Sequence, residues 1–222
     1  MTNGPWSVIV PVKRLTSGKS RLAGSRELRT AVATALARDT MDTVAGCAEV
    51  DQLVVVTSDG VAAEAASAAG AVVVCERQGV RDPLNEALES ALRWLRTHRP
   101  DFPVAVVPTD LASLTAPVLA QVLREARLHE RAFVRDVAGT GTTIWTSRSP
   151  RSARTHYGAG SAEKHLSAGA ADLAGLPLEA RHDLDRAEDV TDLLALGVGP
   201  HLRHALNLGG QPPGSVIAFS AR

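Results

Sequence analysis

The stretch Trp6-Ser-Val-Ile-Val-Pro-Val12 is almost uninterrupted in apolar and β-branched residues, which is typical of a strand buried on both faces. Three similar short runs follow at residues 52–57, 71–76 and 104–107. Strands with one solvent-exposed face alternate between apolar and polar residues, whereas these four runs do not. The runs therefore predict a mostly parallel sheet that is covered by helices on both faces.

Helical patterns follow the strand-like runs and give the chain a repeating strand–helix order. Ser25 is suited to cap the first helix, which we expect to run to about residue 45. Further helices are predicted at residues 61–69, 84–97 and 116–128. A fifth strand is predicted at residues 132–137. This order predicts one α/β domain.

The second half of the chain changes character after Asp136. Gly, Ser and Arg become frequent there, and a short helix is expected after that stretch. A strand-like segment at residues 178–185 and a helix at about 187–196 complete the domain, which we place at residues 1–208. The Gly- and Pro-containing tail at residues 209–222 is expected to be loosely held.

Composition limits the classes of protein to which the chain can belong. The 222 residues contain 24 Lys+Arg and 24 Asp+Glu, without the basic excess that nucleic-acid binders carry. Apolar residues make up 45%, yet no apolar run reaches the ~18 residues that span a membrane. The two cysteines, Cys47 and Cys75, form no CxxC pair, and the first residues lack the pattern of a secretion signal. We therefore expect a cytoplasmic protein with no nucleic-acid or membrane partner.

The residues that follow the predicted strands are the first candidates for a binding site, because open parallel sheets bind ligands beyond the carboxyl ends of their strands. Basic side chains follow the first strand, namely Lys13, Arg14, Lys19 and Arg21. Carboxylates follow two later strands, at Asp59 and Asp110. Cations and carboxylates at one edge of a sheet are what a phosphorylated substrate with a divalent metal requires.

A second acidic pair, Asp183 and Asp185, lies two residues apart within the strand-like segment. On an extended backbone such residues point to the same side, so the two carboxylates would repel each other unless a cation lies between them. Together with Asp110 they are candidate ligands for one or two magnesium ions. The pair is equally suited to capping the helix expected near residue 187, and the spacing alone does not decide between these interpretations.

Three short patterns resemble binding motifs but do not complete them. Gly18-Lys19-Ser20 would end a P-loop only if Gly stood at position 13, where Lys is found. Gly139-Thr-Gly-Thr-Thr-Ile144 begins like a GxGxxG motif but ends in Ile, late in the chain. His201 and His204 have metal-like spacing without a third ligand nearby, which favours a solvated helix face.

Five ordered motifs give the chain a resemblance to a known family. They are Val10-Pro-Val-Lys-Arg-Leu-Thr-Ser-Gly-Lys-Ser-Arg-Leu22, Asp82-Pro-Leu-Asn-Glu-Ala-Leu88, Gly139-Thr-Gly-Thr142, Tyr157-Gly-Ala-Gly-Ser-Ala-Glu-Lys-His165 and Asp183-Leu-Asp185. In order and spacing they resemble the guanylyltransferases of coenzyme F-420 biosynthesis, which join the GMP part of GTP to phosphoenolpyruvate or 2-phospho-L-lactate. The resemblance implies a Rossmann-like nucleotidyltransferase fold, in agreement with the α/β domain predicted from the strand–helix order.

The resemblance also implies roles for individual residues. The positions that match the family's magnesium-binding aspartates are Asp110, Asp183 and Asp185. The positions that match those holding phosphoenolpyruvate are Thr142, Gly158 and Ser161. Magnesium is therefore the implied cofactor, and GTP and phosphoenolpyruvate are the implied substrates.

The nucleotide is implied to bind along two other segments. The segment expected to bind the triphosphate contains Lys13, Lys19 and Arg21, of which Lys19 and Arg21 would act in catalysis by stabilising the departing pyrophosphate. The segment expected near the guanine contains Asp82 and Asn85. Simpler interpretations remain open, with Lys19 and Arg21 in a solvated basic loop and Asn85 as a residue that starts a helix.

The chain departs from the family pattern beside two of the metal positions. Asp110-Leu-Ala112 stands where Asp-Leu-Pro is common, and Arg186-Ala187 stands where Thr-Pro usually follows Asp185. Neither change removes a candidate ligand, although Arg186 places a cation beside two carboxylates. The sequence does not separate phosphoenolpyruvate cleanly from 2-phospho-L-lactate, but the Ala- and Arg-rich composition resembles that of actinobacterial members of the family, in which phosphoenolpyruvate is the commoner acceptor. A catalytically silent nucleotide-binding domain of the same fold is the alternative from a different class.

Overall fold

A computed structural model describes residues 4–15, 25–76, 82–186 and 188–206 of the chain. The strands are β1 (Trp6–Val12), β2 (Val50–Thr57), β3 (Val72–Cys75), β4 (Val104–Val106), β5 (Arg131–Arg135), β6 (Thr142–Ser147) and β7 (Ala171–Asp172). The helices are α1 (Arg26–Ala45), α2 (Gly60–Ala68), α3 (Pro83–His98), α4 (Ala116–Ala126), α5 (Ser161–Ser167), α6 (Asp189–Leu196) and α7 (Pro200–Ala205). The tail expected at residues 209–222 lies outside the described residues, as do Lys19 and Arg21.

The seven strands form one sheet in the order β3-β2-β1-β4-β6-β5-β7. β1 pairs in parallel with both β2 and β4, and β2 pairs in parallel with β3. Every residue of β1 except Pro11 is buried, as expected for a strand with helices on both faces. The mostly parallel α/β architecture predicted from the apolar runs is confirmed.

The helix starts follow local capping chemistry. Ser25 has an extended backbone, and its hydroxyl accepts a hydrogen bond from the N–H of Leu28 at 3.2 Å, so the predicted cap of α1 is confirmed. Asp59 caps α2 in the same way and also accepts the N–H of Leu15 at 3.0 Å. That second bond holds the residues after β1 against the carboxyl end of β2. None of the described helices has the length and apolar character needed to cross a membrane.

β6 is the longer of two strands that were not predicted from the sequence, the other being the two-residue β7. β6 lies between β4 and β5 and is antiparallel to both, with Val106 opposite Trp145 and Arg135 opposite Thr142. Because β6 runs opposite to β4, the first residue of β6 lies at the edge where β4 ends. Thr142 is thereby brought to the carboxyl edge of the parallel strands.

The strand-like segment predicted at residues 178–185 is wrong. Leu178–Ala180 forms a short 3-10 helix, and the residues that follow up to 185 belong to no strand. This segment is held by side-chain burial instead of strand pairing. Leu184 is 2% exposed and belongs to a small apolar cluster with Leu193 of α6, Leu202 of α7 and Leu36 of α1. The cluster fixes the segment that carries Asp183 and Asp185 against the rest of the fold.

Candidate active site

A cavity of about 280 Å³ lies beyond the carboxyl ends of β1 and β4. Pro11 of β1, Val106 of β4 and Thr142 of β6 contribute to its wall. The residues predicted from the sequence that line it are Asp110, Thr142, Gly158, Ser161, Asp183 and Asp185. Residues distant in the sequence, which the resemblance assigns to metal and acid binding, are therefore neighbours in one cavity.

The three aspartates converge although their segment is not a strand. Asp110, Asp183 and Asp185 each offer a carboxylate oxygen, and these oxygens all lie within 4.8 Å of one another. The alternative in which Asp183 and Asp185 cap the following helix is not observed, because α6 begins at Asp189 with Glu188 in the cap position. The expected convergence of the two carboxylates is therefore observed, although their segment pairs with no strand.

Asp189 is a residue of this site that the sequence analysis did not identify. Its carboxylate accepts hydrogen bonds from the backbone N–H groups of Asp185 at 2.9 Å and Arg186 at 2.6 Å. Asp189 thus fixes the backbone that presents Asp185. An acidic residue in the first turn of a predicted helix was the available signal. The Arg186 side chain is exposed and does not line the cavity.

The charges of this cluster favour a bound cation. The pKa of Asp183 is raised from 3.8 to about 6, first by burial of its carboxyl group and then by the negative charges of Asp110 and Asp185. A divalent cation would relieve this repulsion, and carboxylate oxygens are the ligands that magnesium and calcium prefer. The donor set therefore fits a hard divalent metal ion.

A tight turn beside the cluster is organised by Asp136, which the sequence analysis also did not assign to the site. The Asp136 carboxylate lines the cavity and accepts the N–H groups of Thr140 at 3.0 Å and Gly141 at 2.9 Å. A Cβ atom added to Gly141 would lie 2.3 Å from the Asp136 Oδ2 atom, so any other residue there would force the Asp136 carboxylate to move. An Asp followed by a Gly- and Thr-rich turn was a usable signal in the sequence. The turn leads directly into Thr142.

The loop that carries Gly158 is anchored by Asn85 at the start of α3. The Asn85 Oδ1 atom accepts the N–H of Tyr157 at 3.0 Å and the Thr155 hydroxyl at 2.9 Å. The Asn85 Nδ2 atom donates to the Tyr157 carbonyl at 3.0 Å and to the Asp82 carboxylate at 2.7 Å. Gly158 has φ 119°, a conformation that favours glycine. Asn85 thus holds the Gly158 loop in place through hydrogen bonds, although neither Asn85 nor Asp82 lines the cavity.

The Thr142 hydroxyl is hydrogen-bonded to a buried histidine. This hydroxyl lies 2.9 Å from the Nδ1 atom of His165, a residue of α5 that is 0% exposed. Burial of the ring, followed by the positive charges of His156 and Lys164, lowers the His165 pKa from 6.5 to about 4. His165 ends the motif at residues 157–165, and the resemblance implied no role for it.

Comparisons with known proteins identify the family and the fold of the chain. Residues 6–207 match the model of the family described as "Guanylyl transferase CofC like". The chain belongs to this family. Proteins named phosphoenolpyruvate guanylyltransferase are similar to it along most of their length. The Streptomyces coelicolor protein is 38% identical over 198 residues, which cover 88% of this chain and 92% of the relative. The Mycolicibacterium smegmatis protein is 38% identical over 206 residues, which cover 91% of each chain.

Solved structures of nucleotidyltransferase type share the fold of this guanylyl transferase family member. A protein from Desulfovibrio desulfuricans G20, described as a nucleotide-diphospho-sugar transferase, matches 91% of this chain and 98% of its own with a TM-score of 0.63 at 14% identity. A 4-diphosphocytidyl-2C-methyl-D-erythritol synthase matches 86% of this chain and 98% of its own with a TM-score of 0.57 at 14% identity. The Rossmann-like nucleotidyltransferase fold implied by the sequence motifs is confirmed.

The cationic part of the predicted site is not seen in the cavity wall. Lys13 directly follows β1 and is exposed, without lining the cavity. Lys19 and Arg21 fall outside the described residues. Among the described residues that line the cavity there is no Lys or Arg, whereas four Asp residues are present. An anionic substrate in this cavity therefore requires positive charge from a metal ion or from elsewhere in the chain.

Proposed function

We propose that this guanylyl transferase moves GMP from GTP to phosphoenolpyruvate in the presence of magnesium, giving enolpyruvoyl-2-diphospho-5'-guanosine and pyrophosphate. The observation that carries the proposal is the shared cavity, in which three converging aspartates face Thr142, Gly158 and Ser161. The names of the relatives that match nearly the whole chain support the choice of donor and acceptor. The place in coenzyme F-420 biosynthesis implied by the motifs belongs to the same proposal.

The reaction is a phosphoryl-group substitution between two anions. A phosphate oxygen of the acid attacks the α-phosphorus of GTP, a new P–O bond forms, and the bond to the β-phosphate oxygen breaks so that pyrophosphate leaves. The attacking phosphate has a second pKa near ~6 and is largely dianionic at neutral pH, so no side chain has to remove a proton. Neutralising charge and aligning the two phosphates are therefore the main requirements for catalysis.

The metal would be held by Asp110, Asp183 and Asp185. When bound, magnesium would neutralise the phosphate oxygens around the reacting phosphorus. The chain's own contribution is to hold three carboxylates within 4.8 Å of one another, through the Leu184 cluster and the Asp189 hydrogen bonds. Only oxygen ligands are offered, in keeping with the preference of this ion.

The acid would lie against Thr142, Gly158 and Ser161. At about 280 Å³ the cavity is at the small end of ligand sites, which span ~300–1,000 Å³. This size suits a three-carbon phospho-acid together with the reacting phosphates better than a whole nucleotide. Gly158 allows the acid to approach the backbone closely, and Thr142 contributes a hydroxyl.

The nucleotide assignments remain part of the proposal. Lys13, Lys19 and Arg21 would bind the triphosphate, since the cavity wall itself carries an excess of carboxylates. Asp82 and Asn85 are assigned to the guanine side from the sequence motif alone. Residues 1–208 would form the catalytic domain, with 209–222 as its tail. The proposal also includes a cytoplasmic location. Both cysteines are free thiols, as expected in a reducing compartment.

The test is an assay of purified protein with GTP, magnesium and either phosphoenolpyruvate or 2-phospho-L-lactate. Pyrophosphate release is followed, and the guanosine-diphospho adduct is identified by its mass. We expect turnover of both acids with a preference for phosphoenolpyruvate, because discrimination by shape is worth only ~1–3 kcal/mol. Turnover of phospholactate alone would overturn the acceptor assignment. Absence of any adduct with either acid would favour the catalytically silent domain.

A further inference from the structure

His165 has a hydrogen-bonding pattern that fixes its tautomer. The backbone N–H of His156 lies 2.9 Å from the Nε2 atom of His165. A backbone N–H can only donate, so Nε2 must act as the acceptor and carry no proton. In a neutral imidazole the remaining proton then lies on Nδ1.

The surroundings of the ring keep it neutral. His165 is 0% exposed, and its ring packs against Phe133 of β5 and Trp145 of β6. Among the described residues, the titratable groups near the ring are His156, Tyr157 and Lys164, and none of these supplies a negative charge at neutral pH. Burial accordingly lowers the pKa of His165 to about 4, so the imidazolium form is scarce at physiological pH.

The fixed tautomer determines what the Thr142 hydroxyl can do. The Nδ1 atom, which carries the proton, lies 2.9 Å from the Thr142 Oγ1 atom and therefore donates to it. The hydroxyl's own proton must point away from His165, because two protons cannot share one line between the atoms. In the described part of the chain His165 is the only hydrogen-bond partner of this hydroxyl, and Thr142 lines the cavity.

We propose that His165 is a positioning residue that makes the Thr142 hydroxyl a hydrogen-bond donor toward the cavity, selecting an anionic oxygen of the acid substrate. The inference rests on the proposed function only for the identity of that acid. Without the His165 donor, the hydroxyl would be free to rotate, and its proton would no longer be directed away from His165. The hydrogen bond from the His156 N–H to His165 fixes the tautomer of His165. The hydrogen bond from His165 to Thr142 then fixes the direction in which the Thr142 hydroxyl can donate to the substrate.

The tautomer is tested without any substrate. Nitrogen-15 NMR of the labelled full-length chain distinguishes a protonated from an unprotonated ring nitrogen in each histidine, and the His165→Gln spectrum assigns the signal. We expect one His165 signal set with a protonated Nδ1 and a bare Nε2, unchanged between acidic pH near 5 and alkaline pH near 8. A protonated Nε2, or titration with a pKa near 6.5, would overturn the proposal.

Two variants separate the Nδ1 donor from the Nε2 acceptor. In His165→Asn the amide N–H lies near the position of Nδ1, so donation to Thr142 is retained. In His165→Gln the amide lies near the position of Nε2, so the bond from His156 is retained while the donor at Nδ1 is lost. We expect His165→Gln to raise the KM of the acid roughly tenfold or more without changing the KM of GTP. His165→Asn should raise the KM of the acid much less, because it keeps the donor to Thr142. Equal effects of the two variants on the acid KM would contradict the proposal.

A double-mutant cycle isolates the pathway through Thr142. Thr142→Val should raise the acid KM by itself, and adding His165→Gln should then change the acid KM less than about twofold. Full additivity would show that His165 acts on the fold and not on the hydroxyl, and it would overturn the proposal. Melting curves identify any variant that fails to fold. If a variant does not fold, the His165 tautomer measured by NMR in the unmodified protein decides whether the proposal stands. If the unmodified protein shows no acid-dependent turnover, the proposed function is wrong. The assigned tautomer of His165 would still stand or fall by NMR, because that measurement uses no substrate.

Discussion

The backbone N–H of Leu184 donates a hydrogen bond to the carbonyl oxygen of Asp110 at 2.8 Å. This single bond joins the loop after β4 to the segment between Asp183 and Asp185. Because Leu184 is itself buried, the two flanking carboxylates are directed toward the Asp110 carboxylate. The aspartate cluster is therefore held by a backbone hydrogen bond and by the buried side chain of Leu184.

Leu184→Ala should weaken both the fold and the metal site. Removing a buried leucine side chain costs about 2–5 kcal/mol of unfolding free energy, and the cavity left beneath the segment would let Asp183 and Asp185 move. We expect a lower melting temperature and a higher magnesium concentration for half-maximal activity. Leu178→Ala, at a side chain that is 48% exposed, is the matched control and should change neither. Equal effects of both variants would contradict the anchoring role.

Activity should require a divalent cation bound by the aspartates. Asp185→Asn removes one negative charge and one strong ligand while its backbone bond to Asp189 remains available, so the fold should persist. We expect most turnover to be lost in this variant and in the unmodified protein with excess chelator. Circular dichroism checks the fold. Full activity under either condition would show that the metal assignment is wrong.

The metal-free protein should lose stability as the pH rises from about 4 to about 6. The Asp183 pKa is raised from 3.8 to about 6 in the folded state, so over this window the folded chain holds more protons than the unfolded chain. Stability therefore falls with rising pH and stays lower above the folded-state pKa. Asp183→Asn should flatten this part of the pH profile and raise the melting temperature near neutral pH. Identical profiles for the two proteins, measured without metal, would refute this account.

Asp136 and Gly141 should show strong coupling. Asp136→Ala removes the acceptor of two backbone N–H groups, which we expect to cost about 1–3 kcal/mol and to raise the acid KM through Thr142. Gly141→Ala forces the Asp136 carboxylate to move, because the new Cβ would lie 2.3 Å from it. In the Asp136→Ala background Gly141→Ala should therefore be much less damaging. Thermal melts and acid KM values of the four proteins test this, and simple additivity would argue against it.

Asn85→Ala should distinguish an anchor of the Gly158 loop from a reader of guanine. Its side chain makes two hydrogen bonds to the Tyr157 backbone, so its loss should cost about 1–3 kcal/mol and raise the KM of the acid. Thr97→Ala, an exposed position on the same helix, is the control. A selective rise in the KM of GTP would instead support the guanine assignment made from the sequence.

The strand–helix order of the first half followed directly from the sequence. Continuous apolar runs such as Trp6–Val12 have no exposed face, which is typical of strands in a covered parallel sheet. Local capping chemistry also fixed where helices begin, as at Ser25. The identity of the site residues came from motif resemblance, and Asp110, Thr142 and Asp183 were then found around one cavity. Whether each residue has its implied role stays a prediction.

Tertiary structure alone decided the placement of β6 and the geometry of the acidic segment. Thr142–Ser147 pairs with β5 across the short Asp136 turn, but its place beside β4 depends on a long-range pairing that no local pattern encodes. Asp183 and Asp185 converge on Asp110 because Leu184 is buried and bonded to Asp110, although the segment is not extended as a strand. The partnership of His165 with Thr142 likewise joins residues 23 positions apart through packing of α5 on the sheet. Apolar periodicity specifies which face of an element is buried, whereas the partners that meet there are selected by packing of the whole chain.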